Sequence, residues 1–314
     1  MKIKLFTHTD LDGVSCAILA FAAFGKENVD VTYCDYHDIN EKVNEFLNQP
    51  LGEYDLVLIT DISVDKHVAE RIDFIHKISS LNFVLLDHHE TAEWLNQYDW
   101  AQVYFQHETG ENTAGASMLL VWLAEKGPFT LNQVVAWEEG FVEKVRRYDT
   151  WDWANIYNDP EPKQLNDLFW IYGRDRFIDM VLDTMDSHGK FFFSEVDNFI
   201  LQLKQEEIDR YIEKCSKKLT VKPVGRYNVG VVFAEMHIND VAHALHKQHP
   251  ELDLIAVINM NSRKVSYRTE REDIDVSHFA RYFGGGGRRA TAGSQISDEK
   301  LGYILEMIFN VRRA

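Results

Sequence analysis

Within the first 90 residues, apolar segments of strand length alternate with helical ones, and this alternation constrains the fold more than any other feature of the chain. Residues 3–7, 29–36, 55–59 and 82–86 read as strands, and 11–24, 39–47 and 64–78 carry helical periodicity between them. This β-α-β-α order predicts an α/β fold: a mainly parallel sheet with helices on both faces. In such sheets ligands sit beyond the carboxyl ends of the strands. His8, Asp10, Asp61, Asp87 and His88 all fall there. Scattered surface acids have no reason to line up with strand ends.

Further along, 113–125 and 131–146 read as helices, and 191–219, free of Gly and Pro, as a long amphipathic connecting helix. Lys222-Pro223-Val224-Gly225 breaks that pattern. Strands at 227–234, 254–259 and 265–269, with helices at 240–248, 276–283 and 298–309, predict a second, smaller α/β domain. The expected division is a first domain over 1–189, a connecting helix over 190–222 and a second domain over 223–314, which 314 residues accommodate comfortably.

The formal charge is −17 and unevenly spread: 223–314 hold 12 Lys+Arg against 11 Asp+Glu, whereas 1–222 hold 21 against 39. That argues against a protein that coats long duplexes by counterion release. It favours a small phosphorylated ligand, received by the arginine-bearing C-terminal part. The longest apolar runs, such as 17–24, fall far short of the roughly 20 residues of a membrane span. The opening Met1-Lys2-Ile3-Lys4-Leu5-Phe6 does not read as a signal peptide. Three cysteines (Cys16, Cys34, Cys215) without a CxxC pair predict a reducing cytoplasm and exclude a cysteine-built zinc site.

In His8-x-Asp10-x-Asp12-Gly13, a strand-to-helix turn lets alternate residues converge on one point, with Gly13 allowing the helix start to come close. A lone Asp there would be a helix cap; the triplet points to a divalent metal. Asp61 alone would be a turn former, but at an adjacent strand end it becomes a candidate to bridge two ions. In Asp87-His88-His89, two adjacent histidines after an apolar strand suggest that one binds metal and the other faces an anion. Tyr148-Asp149-Thr150-Trp151-Asp152 adds two carboxylates, Asp149 the preferred ligand and Asp152 the runner-up; Trp151 and Trp153 read as core aromatics, with stacking of one on a base as the alternative. Carboxylates with imidazoles suit Mn²⁺ or a similar ion. The run 284–287, followed by Arg288-Arg289, can turn backbone N–H groups toward a phosphate, and Arg268 on a strand adds a fixed cation.

His8-Thr9-Asp10-Leu11-Asp12-Gly13, Asp61, Asp87-His88-His89 and Tyr148-Asp149-Thr150 together resemble motifs I to IV of the DHH phosphoesterase superfamily. Ser266-Tyr267-Arg268 and 284–293 resemble the DHH-associated substrate-binding domain of its RecJ and nanoRNase branch. The likeness spans essentially the whole chain in the expected order and is greatest to the small oligoribonucleases (nanoRNases). It implies two Mn²⁺ ions, with Mg²⁺ or Co²⁺ as alternatives. His8, Asp10 and Asp61 would hold the first; Asp12, Asp61, His88 and Asp149 the second. It further implies that Asp87 orients the histidines, that His89 touches the scissile phosphate, and that Arg268, Gly285, Gly286, Gly287 and Arg288 hold substrate phosphate. The family loop usually reads Gly-Gly-Gly-His; here Arg288 stands in place of the histidine, which leaves substrate preference open.

The expected function is two-metal hydrolysis of very short RNA to mononucleotides. The alternatives are cleavage of cyclic mononucleotides, linear dinucleotides, 3′-phosphoadenosine 5′-phosphate or pyrophosphate, and a nucleotide sensor without turnover. Expected partners are short RNA or small phosphorylated nucleotides, with neither long duplexes nor membranes; a homodimer is compatible with the sequence.

Overall fold

The alternating segments fold as predicted into an α/β sheet wound on both sides. A computed structural model describes residues 1–309, and the chain divides into two units, Met1–Leu201 and Gln202–Ala314. In the first unit, β1 (Ile3–His8), β2 (Val29–Cys34), β3 (Leu56–Thr60), β4 (Asn82–Asp87) and β5 (Ala101–Val103) lie in the order β2-β1-β3-β4-β5, all parallel. The winding reverses between β1 and β3, so a crevice opens at their carboxyl ends. All five residues of β3 are buried, as expected for a strand covered on both faces. Its side chains alternate: Leu56 and Leu58 pack with Leu5 and Leu86 under the helices Leu11–Phe24 and Gly115–Glu125. Val57 and Ile59 pack with Phe6, Phe83 and Leu85 under Ile39–Leu47 and Lys66–Ile78.

Two helical readings change in detail, and two helices are added. The segment read as one helix over 131–146 is Leu131–Trp137, a π turn at Glu138–Val142, and Glu143–Asp149. The helices Glu161–Tyr172 and Arg174–His188 were not read from the sequence. The long helix is shorter than 191–219, running Glu195–Ser216. Ser194 Oγ accepts from Asp197 N (3.1 Å) while Asp197 Oδ2 accepts from Ser194 N (2.8 Å), a reciprocal cap that starts the helix there. Phe191 packs instead in the core of the first unit.

The second unit is a six-stranded mixed sheet: β6 (Thr220–Val224), β7 (Tyr227–Phe233), β8 (Leu254–Asn259), β9 (Lys264–Arg268), β10 (Gly286–Gly287) and β11 (Thr291–Gln295), in the order β10-β11-β9-β8-β7-β6. Only β7 and β8 are parallel, joined through the helix Ile238–Gln248. The break at Lys222-Pro223-Val224-Gly225 is in fact an edge strand and its turn. β6 pairs antiparallel with β7, and Pro223 is tolerated because the strand has an open side.

Candidate metal centre

β1 ends at His8 and the chain turns at once into Leu11–Phe24. Asp10 caps that helix, accepting from Gly13 N (3.1 Å), and its other oxygen lies 2.8 Å from His8 Nδ1. The capping and metal readings of Asp10 are therefore compatible: one carboxylate does both. A Cβ on Gly13 would lie 2.4 Å from His8 O, so no other residue lets the helix start this close to the strand. Asp12, on the first helical turn, is buried and accepts from Gly115 N (2.6 Å) and Ala116 N (2.8 Å). Those are orphan donors at the start of Gly115–Glu125, where the helix dipole favours an anion.

Asp61 follows β3 in a left-handed conformation (φ 57°), which Asp tolerates better than most residues. Its Oδ1 lies 3.3 Å from His88 Nε2 and its Oδ2 3.9 Å from His8 Nδ1. His88 Nε2 is also 3.9 Å from Asp12 and 3.5 Å from Asp149, the last residue of Glu143–Asp149. Three groups result with donor atoms close enough for one ion: His8, Asp10 and Asp61; Asp12, His88 and Asp149; and Asp61, Asp87, His88 and His89. Asp61 belongs to the first and third, and its Oδ1 faces His88 of the second. Asp87 is fully buried; it takes His89 Nδ1 at 2.7 Å, His88 N at 2.8 Å and the Ser63 hydroxyl. It thus fixes the ring of His89 and only the backbone of His88.

The electrostatics ask for a cation. Burial, then the charges of Asp12, Asp10 and Asp149, push the Asp61 carboxyl well above its ordinary range. Burial, Asp12 and Asp10 push Asp149 up to about 8. Every ion pair of these carboxylates among the described residues is with a histidine, and the buried Asp61 Oδ2 has no hydrogen-bond partner there. An orphaned buried oxygen among like charges fits a divalent ion. With Asp149 at 3.8 when unfolded and about 8 when folded, the native state holds more protons between those values. The metal-free protein therefore loses stability as pH rises from about 4 to about 8. Mn²⁺ should raise Tm more at pH 8 than at pH 5 in a thermal scan; equal shifts would contradict it.

Asp152 is not part of the cluster. It takes Arg146 Nη1 at 2.8 Å in a buried ion pair. Trp151 is not a core residue either: it is 50% exposed at φ 62°, on the turn that follows Asp149, and Trp153 is half-buried. Three partners of the site were not read from the sequence. Gly115 supplies a donor to Asp12, Ser63 holds Asp87, and Tyr36 Oη lies 3.3 Å from His89 Nε2. Tyr36 lies two residues beyond the end of β2, so the strand-end argument that found the others would have found it.

In the second unit, Arg268 is half-buried on β9, its guanidinium bonded to Asn239 Oδ1 (2.9 Å), Tyr267 O (3.0 Å) and Ala292 O (3.3 Å). All these acceptors are neutral, and burial lowers its pKa. The glycine run is not a free loop. Gly284 N and Gly285 N donate to Arg281 O and Ala280 O, Gly286–Gly287 forms β10, and Arg288 N donates to Thr291 O with its side chain exposed.

No family model matches the sequence. The chain is, however, 35% identical over 298 residues to oligoribonuclease NrnB of Bacillus subtilis, covering 94% of this chain and 73% of that one. The chain belongs to the NrnB family of DHH phosphoesterases. Solved structures show the fold this NrnB-family chain shares. A pGpG-specific phosphodiesterase, PggH of Vibrio cholerae, matches at TM-score 0.53 and 13% identity over 98% of each chain. Manganese-bound exonuclease RecJ matches at TM-score 0.54 and 13% identity, over 98% of this chain and 89% of that one. Among the described residues, no helix is long and apolar enough to cross a membrane.

Proposed function

We propose that this chain hydrolyses phosphodiester bonds in very short RNA oligonucleotides, releasing mononucleotides. The observation that carries the reading is the convergence of His8, Asp10, Asp12, Asp61, His88 and Asp149 at the sheet's switch point, in a relative of an oligoribonuclease. His8, Asp10 and Asp61 would hold one ion and Asp12, Asp61, His88 and Asp149 a second. Mn²⁺ suits the mixed carboxylate and imidazole donors, with Mg²⁺ or Co²⁺ as alternatives. When bound, such ions make a water acidic at neutral pH and neutralise charge on the phosphate.

The chain's own residues do the rest. The Asp87 hydrogen bond raises the pKa of His89, keeping a proton on the ring for a phosphate oxygen. Asp87 holds that ring in place, so the donor is oriented before substrate arrives. Residues 1–189 form the catalytic domain in this reading, 190–222 the connector and 223–314 the domain that holds substrate phosphate. There Arg268, with no carboxylate partner among the described residues, is the principal anion site. Gly286 and Gly287 lie on β10, separated from the Arg268 strand by β11, and Arg288 follows them, while the Gly285 N–H is already bonded. Three buried free cysteines suit a reducing cytoplasm.

Arg268→Ala is expected to raise KM on an RNA dinucleotide more than it lowers kcat. A larger loss in kcat would place the guanidinium in transition-state stabilisation instead. The function itself is tested by a substrate panel in Mn²⁺: RNA di- to pentanucleotides, a 24-mer RNA, a DNA dinucleotide, cyclic AMP, 3′-phosphoadenosine 5′-phosphate and pyrophosphate. Fast turnover of the short RNAs and slow turnover of the 24-mer support the proposal. Preference for cyclic AMP or pyrophosphate overturns the substrate, and nucleotide binding without turnover overturns the hydrolase.

A further inference from the structure

Beside the carboxylate cluster, in the first unit, lies a cavity of about 420 Å³ that the proposed chemistry leaves unused. Asp87 and His89 form part of its wall, so it is continuous with the place where a scissile phosphate would sit. Its other walls include Tyr36 and Trp94, which are 56% and 37% exposed, and the acids' neighbours Ser63 and Asp65. The volume is at the lower end of small-molecule sites, suited to one nucleoside rather than two. Apart from His89, already assigned to the scissile phosphate, the wall offers no basic side chain to a second phosphate. Asp65 caps Lys66–Ile78 by accepting from Val68 N (2.9 Å), and Asp87 is committed to His89 and Ser63. The exposed Asp65 repels an anion but can accept a hydrogen bond from an N–H group of a neutral base. Two exposed aromatic side chains offer it a stacking surface.

We infer that this cavity takes the nucleobase next to the scissile phosphate, with Trp94 as its stacking platform and His89 joining base site to phosphate site. The inference rests on the hydrolase reading and names the part of the substrate that the first unit recognises. Stacking on an aromatic ring tolerates every base, because each has a π-face. The site therefore demands a base without choosing among bases. Tyr36, held at 3.3 Å from His89 Nε2 and with its ring 5.0 Å from that of His8, borders both the cavity and the cluster. Trp94 belongs to the cavity wall and not to the ligand cluster, which makes it the cleaner residue to change.

The test measures kcat and KM on an RNA dinucleotide, and on its two singly abasic analogues, for the wild type, Trp94→Ala and Trp94→Phe in Mn²⁺. Loss of a base stack is expected to raise KM roughly tenfold in Trp94→Ala, with kcat within about twofold, and Trp94→Phe should recover most of it. One abasic analogue should show the same rise with wild-type protein and no further rise with Trp94→Ala. An unchanged KM in Trp94→Ala, or a penalty that adds undiminished to that of both abasic analogues, overturns the inference. Binding of adenosine 5′-monophosphate by calorimetry separates this from failure of the hydrolase reading. If the wild type cleaves no RNA yet binds the nucleotide about tenfold more tightly than Trp94→Ala, the hydrolase falls and the base site stands. Equal affinities, or none in either protein, overturn the site.

Discussion

Asp61→Asn should reduce hydrolysis of an RNA dinucleotide by about a thousandfold, while making the metal-free protein more stable. The first effect follows from position: among the described residues Asp61 alone forms ion pairs with both His8 and His88, so its loss disturbs both proposed ion sites. A metal's stabilisation of transition-state charge is worth several kcal/mol, and about 1.4 kcal/mol is a factor of ten in rate. The second effect follows from burial. Burial and the charges of Asp12, Asp10 and Asp149 make ionising Asp61 costly in the folded protein, and a neutral amide avoids that cost. Asparagine is the right replacement because it accepts φ 57° about as well as aspartate; alanine would add backbone strain of its own. The two readouts are kcat/KM in Mn²⁺ and Tm in EDTA. Activity within a few-fold of wild type, or a lowered Tm without metal, would show Asp61 to be structural.

Gly115→Ala should damage the same centre from a residue that carries no functional group. A methyl group there would lie 2.6 Å from Asp61 Cβ, 3.1 Å from Asp61 Cα and 3.1 Å from Asp12 Oδ2. Neither neighbour can yield easily. Asp61 N is bonded to Leu86 O at 3.0 Å, and Asp12 takes two backbone donors from the same helix end. Overpacking of this kind costs about 1–3 kcal/mol in stability. A displacement approaching 1 Å at a catalytic group costs about a hundredfold in rate. The expected result is a protein that still folds, binds Mn²⁺ more weakly by calorimetry and turns over a dinucleotide about a hundredfold more slowly. Wild-type turnover would show that Gly115–Glu125 can shift away from the centre without consequence.

What was legible in the sequence follows from how each feature is encoded. β3 is an unbroken apolar run because both its faces are covered, and Asp61 stands out at its end. His8, Asp10, Asp87 and His88 are visible by the same rule, since a doubly wound sheet places its strand ends together. β11 was not legible: Thr291–Gln295 is small and polar, and it becomes a strand only by pairing with β9 and β10. The requirement for glycine at 115 comes from Asp61 and Asp12, and no local pattern carries a contact across 103 residues. Trp151 was read as core because tryptophan is mostly buried, whereas its left-handed turn after Asp149 leaves it half exposed. The partners of Asp152 were hidden for a related reason: Arg146 is nearby in sequence, but only the helix brings its guanidinium inward.

His8, Asp10, Asp12, Asp61, His88 and Asp149 are proposed to form a two-metal centre that acts on a phosphodiester. Titrating Mn²⁺ into metal-free protein, with turnover of an RNA dinucleotide followed at each addition, tests it most directly. The account predicts saturation at two ions per chain, with turnover rising as the second binds and disappearing in EDTA. Full turnover in EDTA, or saturation with no more than one ion and no loss of activity, would contradict it.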